Sequence, residues 1–130
     1  MSTTTGALTT SFKDAGLGTG TTSVQITLTV DTATAVYQCF NNGGNHPKAG
    51  NKETVSTSLV VSGTFPVRNG QTTGSLSAGP PSQGSFSCPS GQTLFLQSVT
   101  YAGTNVSDAT GNTFHATPDP ISTGPIHVAL

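Results

Sequence analysis

Val24-Gln25-Ile26-Thr27-Leu28-Thr29-Val30 alternates an aliphatic residue with a threonine or an amide at every step. Side chains along a strand point to opposite faces in turn, so this period of two predicts a half-buried β-strand with its aliphatic face on a core. A second β-type run follows at 33–40 and ends in Val36-Tyr37-Gln38-Cys39-Phe40; with Cys39 pointing inward, Ala35 and Tyr37 share its face. Asp31-Thr32, between the two runs, reads as a turn. Working outward, strands are expected at 7–13, within 54–67, and at 72–78, 86–88 and 93–101, with weaker ones around Val106 and Phe114. Residues 102–105 read as a turn. Arg68-Asn69-Gly70-Gln71 is the strongest local signal, because Asn-Gly between β runs suits a type I′ turn, whose two central residues both need positive φ. No segment reads as a helix. Seven to nine short strands with frequent turn signals predict an all-β fold, an immunoglobulin-like antiparallel β-sandwich with one disulfide.

The disulfide is expected between Cys39 and Cys88, the only cysteines, each beside a β-type run and far from any C-x-x-C spacing. A structural disulfide implies an oxidising compartment. Composition agrees: 7% of residues are charged, against about 25% in an ordinary soluble domain. The surface therefore rests on 24 threonines and 15 serines, and threonine suits a pleated face. A net charge of −1, with Lys13, Lys48, Lys52 and Arg68 as the only fixed cations, excludes a basic patch for nucleic acid. No apolar run is long enough to insert in a membrane as a helix. The opening residues lack the basic and apolar regions of a signal peptide, so a removed signal and a secreted or cell-surface protein are expected. Residues 1–130 read as a single β-sandwich domain. Within it, 6–13 forms a separable N-terminal strand beyond a Gly-rich hinge at 14–22, and 118–130 is a tail too rich in proline for a central strand.

Chemistry is sparse. Residues 41–52 form a long amide-rich loop, and Asn41, Asn42, Asn45, His46, Lys48 and Asn51 are its candidate binding residues for a glycan or a protein. The plainer reading is a solvated turn pinned by Cys39. There is no G-x-S-x-G elbow. Asp14, Asp31, Glu53, Asp108 and Asp119 are isolated along the chain, and His46, His115 and His127 show no ligand spacing. No catalytic residue, cofactor site or metal ligand is expected, and the chain does not read as an enzyme. Asp108-Ala109-Thr110-Gly111-Asn112 is similar to a fragment of a calcium loop but offers too few oxygens, so a turn is expected. Asn105-Val106-Ser107 is a formal glycosylation triplet.

Phe12-Lys13-Asp14-Ala15-Gly16-Leu17-Gly18, Tyr37-Gln38-Cys39-Phe40-Asn41-Asn42-Gly43-Gly44, Pro80-Pro81, Phe86-Ser87-Cys88-Pro89-Ser90-Gly91-Gln92 and Ser98-Val99-Thr100-Tyr101 together resemble a group of small secreted β-sandwich proteins of filamentous, soil-type bacteria. The resemblance covers residues 6–108. It implies export and the disulfide, and brings no catalytic residue with it. The expectation is an extracellular structural module that self-associates into a coat or filament by exchange of a terminal strand, 6–13 or 126–130. The alternative is a monomeric secreted binding domain using loop 41–52.

Overall fold

The aliphatic face of the alternating run becomes the inner side of β2 (Ser23–Asn41), where Val24, Ile26, Leu28 and Val30 are all buried. The computed structural model describes residues 1–2, 4–18, 20–41 and 48–129, with the side chains of 48–51 outside the description. Among these residues there are eight strands and no helix, and so none long and apolar enough to cross a membrane. β1 (Leu8–Asp14) and β4 (Thr72–Ala78) form an antiparallel pair running from Leu8 opposite Ala78 to Asp14 opposite Thr72. The second sheet is antiparallel with the order β3 (Lys48–Pro66), β2, β5 (Gln92–Asp108). Three short strands, β6 (Thr113–His115), β7 (Ile121–Ser122) and β8 (Val128–Ala129), each pair with the far side of β5. The two sheets face each other as an all-β sandwich. Its core is a cluster of Leu8, Val30, Ala33, Ala35, Tyr37, Leu96, Val99 and Tyr101, extended by a second around Ile26, Leu28, Val106 and Ala78.

Three of the strands are long, which corrects two expected turns. Asp31-Thr32 does not turn the chain: β2 runs through it, with a register shift between Val30 and Ala33 against β3. Even-numbered residues face the core before this bulge, and Ala33, Ala35, Tyr37 and Cys39 face it afterwards. An inserted residue changes the parity of a strand, and here it keeps both apolar runs on one face. Residues 102–105 likewise lie inside β5. Gly103 adopts φ 71° there, and a side chain at Gly103 would collide with the Asp31 carboxylate. The two irregularities face each other, so β2 and β5 change parity at the same level.

The remaining differences concern connections. Asn69 (φ 55°) and Gly70 (φ 74°) make the expected turn, closed by reciprocal Arg68–Gln71 backbone bonds of 2.9 and 3.1 Å. The returning strand β4 leaves the sheet of β3 and pairs with β1. Stacking rather than pairing joins β3 to β4: Phe65 lies over Gly74, where any side chain would collide with its ring, and meets Phe12 edge-on at 4.9 Å. The Gly-rich 14–22 segment is anchored, with Leu17 buried and its N–H donating to the Gly70 carbonyl at 2.9 Å. The expected strand at 86–88 is absent, since three prolines and three glycines between 79 and 91 leave no run able to sustain a ladder.

That irregular segment is held by side chains instead. Cys39 and Cys88 form the disulfide, with Cα atoms 5.7 Å apart, joining the end of β2 to the β4–β5 connection. Buried Tyr37 donates its hydroxyl to the Pro81 carbonyl. Buried Tyr101 donates to the Gly6 carbonyl at 2.6 Å, which ties the start of the β1 segment to β5. Tyr101→Phe removes that donor and strands a buried carbonyl, so it should cost about 2 kcal/mol. Urea unfolding of the variant beside the parent protein checks this, and an unchanged midpoint would refute the role given to Tyr101.

Candidate binding groove

β1 uses one edge to pair with β4, and its other edge runs along a groove of about 440 Å³. All of residues 8–13 line this groove. A groove above a strand face would meet alternate residues only, so this lining places it alongside the β1 backbone. The opposite wall comes from Thr104 and Val106 of β5, from Phe114 and His115 of β6, and from Ala116, Thr117, Pro118 and Ile121 of the tail. Phe114 is 46% exposed, a large apolar side chain left on the rim. The Thr104 hydroxyl is buried in this wall with no hydrogen-bond partner among the described residues.

The wall itself is braced. His115 bonds Asp119 through Nε2 at 2.8 Å and Asn105 Oδ1 through Nδ1 at 3.2 Å, while Asp119 Oδ1 accepts the Gly103 N–H at 3.0 Å. The positive φ at Gly103 thus turns a backbone donor toward the proline-rich tail and fastens it. Asn105, half-buried in β5, also gives its amide to the Gly103 carbonyl, so the glycosylation triplet sits in a strand with its side chain engaged. The groove offers strand backbone, hydroxyls, aliphatic surface and one phenylalanine. That composition suits an extended polypeptide held by main-chain bonds.

The candidate loop is shorter than 41–52. Asn41 is the last residue of β2, opposite Gln92, and β3 already begins at Lys48, opposite Phe40. Lys48 and Asn51 are therefore strand residues, with side chains outside the described residues, as are Asn42, Asn45 and His46 altogether. At this same end His127 stacks on Phe95 at 3.8 Å and meets Phe40 edge-on at 4.7 Å. The cluster fastens β8 to the sheet, a role that the sequence spacing of the histidines does not reveal.

Two of the carboxylates that are isolated in sequence meet in space. Asp14, at the end of β1, and Asp108, at the end of β5, are 2% and 7% exposed and lie against each other. Burial would raise the Asp108 carboxyl, but the bonds it receives from Asp14, from the side chains of Thr110 and Asn112 and from the Asn112 amide hold it well below the usual range. Thr110 donates from its N–H at 2.9 Å and from its hydroxyl at 2.6 Å, and Asn112 from its N–H at 3.1 Å and its amide at 3.0 Å. Asp14 is pushed up to about 6, first by burial and then by its bond to Asp108 and that group's charge, with the Ala15 amide pulling weakly the other way. Neither Asp14 oxygen has a donor in hydrogen-bonding geometry. Two carboxyls can bond only when one carries a proton, so Asp14 as the acid donating to Asp108 reconciles these observations. The protein has no match among models of protein families, curated proteins or solved structures.

Proposed function

We propose that this chain is an extracellular structural module that self-associates through unpaired strand edges into a coat or filament. The observation that carries this reading is β3. It spans 19 residues, pairs among the described residues with β2 on one side only, and bears no charge from Thr54 to Phe65. Natural edge strands are usually short, charged, proline-bearing or covered, because a bare edge is a template for another chain. The opposite flank of the large sheet, beyond β5, is covered piecewise by β6, β7 and β8, so the exposure of β3 is selective. The groove along β1 is the complementary feature, since it runs beside a second unpaired edge. Joining β3 of one copy to the β1 groove of the next is a heterologous contact, and contacts of that kind propagate into open filaments. Export is supported by the disulfide and by the hydroxyl-rich, nearly uncharged surface.

The test is the mass of the oxidised protein by light scattering over a concentration series, with electron microscopy of the same samples. Val60, 68% exposed, and Thr64 lie on the solvent face of β3. Val60→Lys with Thr64→Lys should leave the fold intact and weaken association at least about tenfold, because each copy would bring new positive charge beside Lys13 of the groove. A parent protein that stays monomeric at every concentration refutes the proposal.

A further inference from the structure

Asp14 and Asp108 are two acids in one buried place with no basic partner among the described residues. The ion pair among the described residues is His115 with Asp119, so neither Asp14 nor Asp108 is offset by a lysine or an arginine. Asp108 is fixed by four donors from its own turn, which leaves Oδ2 with spare acceptor capacity after the Asn112 amide. Asp14 has no further donor in hydrogen-bonding geometry among the described residues, so beyond its contact with Asp108 it retains acceptor capacity. A third group points to the same place independently of the acids. Thr72 stands directly opposite Asp14 in the β1–β4 ladder, is 2% exposed, and has a hydroxyl with no hydrogen-bond partner among the described residues. Directly opposed side chains share a face of the sheet with Cβ atoms about 5 Å apart. Buried polar groups in native proteins almost always have partners, and beyond the proton shared by the two acids this end of the β1–β4 ladder offers none among the described residues, so it calls for a ligand.

We propose that Asp14, Asp108 and Thr72 form a binding site for a hard divalent cation of the calcium class. Every donor offered is oxygen, the donor set hard cations prefer and zinc or copper do not. A cation would displace the proton that the two carboxyls share and supply the counter-charge in its place. The Asp108–Asn112 turn, too poor in oxygens to be a calcium loop by itself, gains the missing ones from β1 and β4. Among the described residues no three His, Cys, Asp or Glu side chains converge, so the site has two carboxylates, one hydroxyl and water for the rest. Such low ligand charge fits the weak class of extracellular calcium modules, with Kd of roughly 10⁻⁴–10⁻³ M. The site would clamp the ends of β1, β4 and β5, which belong to different sheets.

The experiment is calcium titration of the chelator-stripped, disulfide-intact chain at pH 7.5, read by thermal unfolding and by direct calorimetry. The expected result is a saturable rise in Tm and a calorimetric isotherm in that millimolar to submillimolar range, with magnesium weaker and sodium chloride at matched ionic strength without effect. Asp14→Asn, whose amide can donate to Asp108, should fold and lose the calcium response; Thr72→Val should move the midpoint upward. Absence of an isotherm in the parent protein overturns the proposal, and so does an undiminished response in Asp14→Asn. Calorimetry on the parent chain decides the matter even where a variant fails to fold.

Discussion

Replacing Cys39 and Cys88 together by serine should lower the unfolding free energy by about 4 kcal/mol and the Tm by about 15 °C. The disulfide spans 49 positions, and closing a loop of that size removes that much chain entropy from the unfolded state in the simplest model. Location adds to the effect. The connection 79–91 has no ladder, and its attachments besides the disulfide include the Tyr37 bond to Pro81, two short turns, the close approach of Gly79 to Tyr101 and the packing of Phe86 on the core. Freed from β2, this segment can lift away from Tyr37 and Leu96, both of which are buried beneath the sandwich surface. Urea unfolding of the double variant should show a lower midpoint together with a steeper slope, since the uncrosslinked chain exposes more surface when it unfolds. A midpoint equal to that of the oxidised parent would mean that the disulfide is ornamental to the fold.

The cross-link and the sandwich were legible because their signals are local. Alternation at 24–30, the Asn69-Gly70 turn and two cysteines beside β runs each follow from a few neighbouring residues, and the structure agrees with all three. The two strand irregularities were misread as turns for a physical reason. Asp-Thr and Gly-Thr-Asn suit a turn and a bulge equally, and only the register of a partner strand distinguishes them. Here the partners are each other: Asp31 needs the absence of a side chain at Gly103, 72 positions away. Strand β4 lies where the pattern puts it, and its partner β1 was not legible, because the turn at 69–70 fixes a reversal of direction and not the sheet that receives it. The groove along β1 and the aromatic clamp around His127 depend on where the tail lies, and short proline-interrupted strands carry too little pattern to fix that from sequence.

The meeting of Asp14 and Asp108 belongs to the same class of long-range facts, and it gives the second large effect. In chelator-treated protein, stability should fall as pH rises from about 4 to 7, by about 3 kcal/mol in total. The sign follows from the direction of the shift. Asp14 stands at about 6 in the folded protein against an ordinary 3.8, so between those values the folded state holds a proton that the unfolded chain has lost. Each pH unit of that window costs about 1.4 kcal/mol, and the loss is complete once Asp14 ionises in both states. Asp108 acts in the opposite sense: held below its ordinary range, it contributes stability above about pH 4 that disappears under more acidic conditions. The two together place the optimum near pH 4–5, below the usual range for soluble domains. Asp14→Asn isolates the effect, because asparagine keeps a donor toward Asp108 and cannot ionise. Its stability should exceed that of the parent at pH 7.5 and match it near pH 4, so the difference between the two curves traces the titration of Asp14 alone, free of the histidines. Parallel curves from pH 4 to 8 would show that Asp14 ionises at its ordinary value and that the two carboxyls do not share a proton.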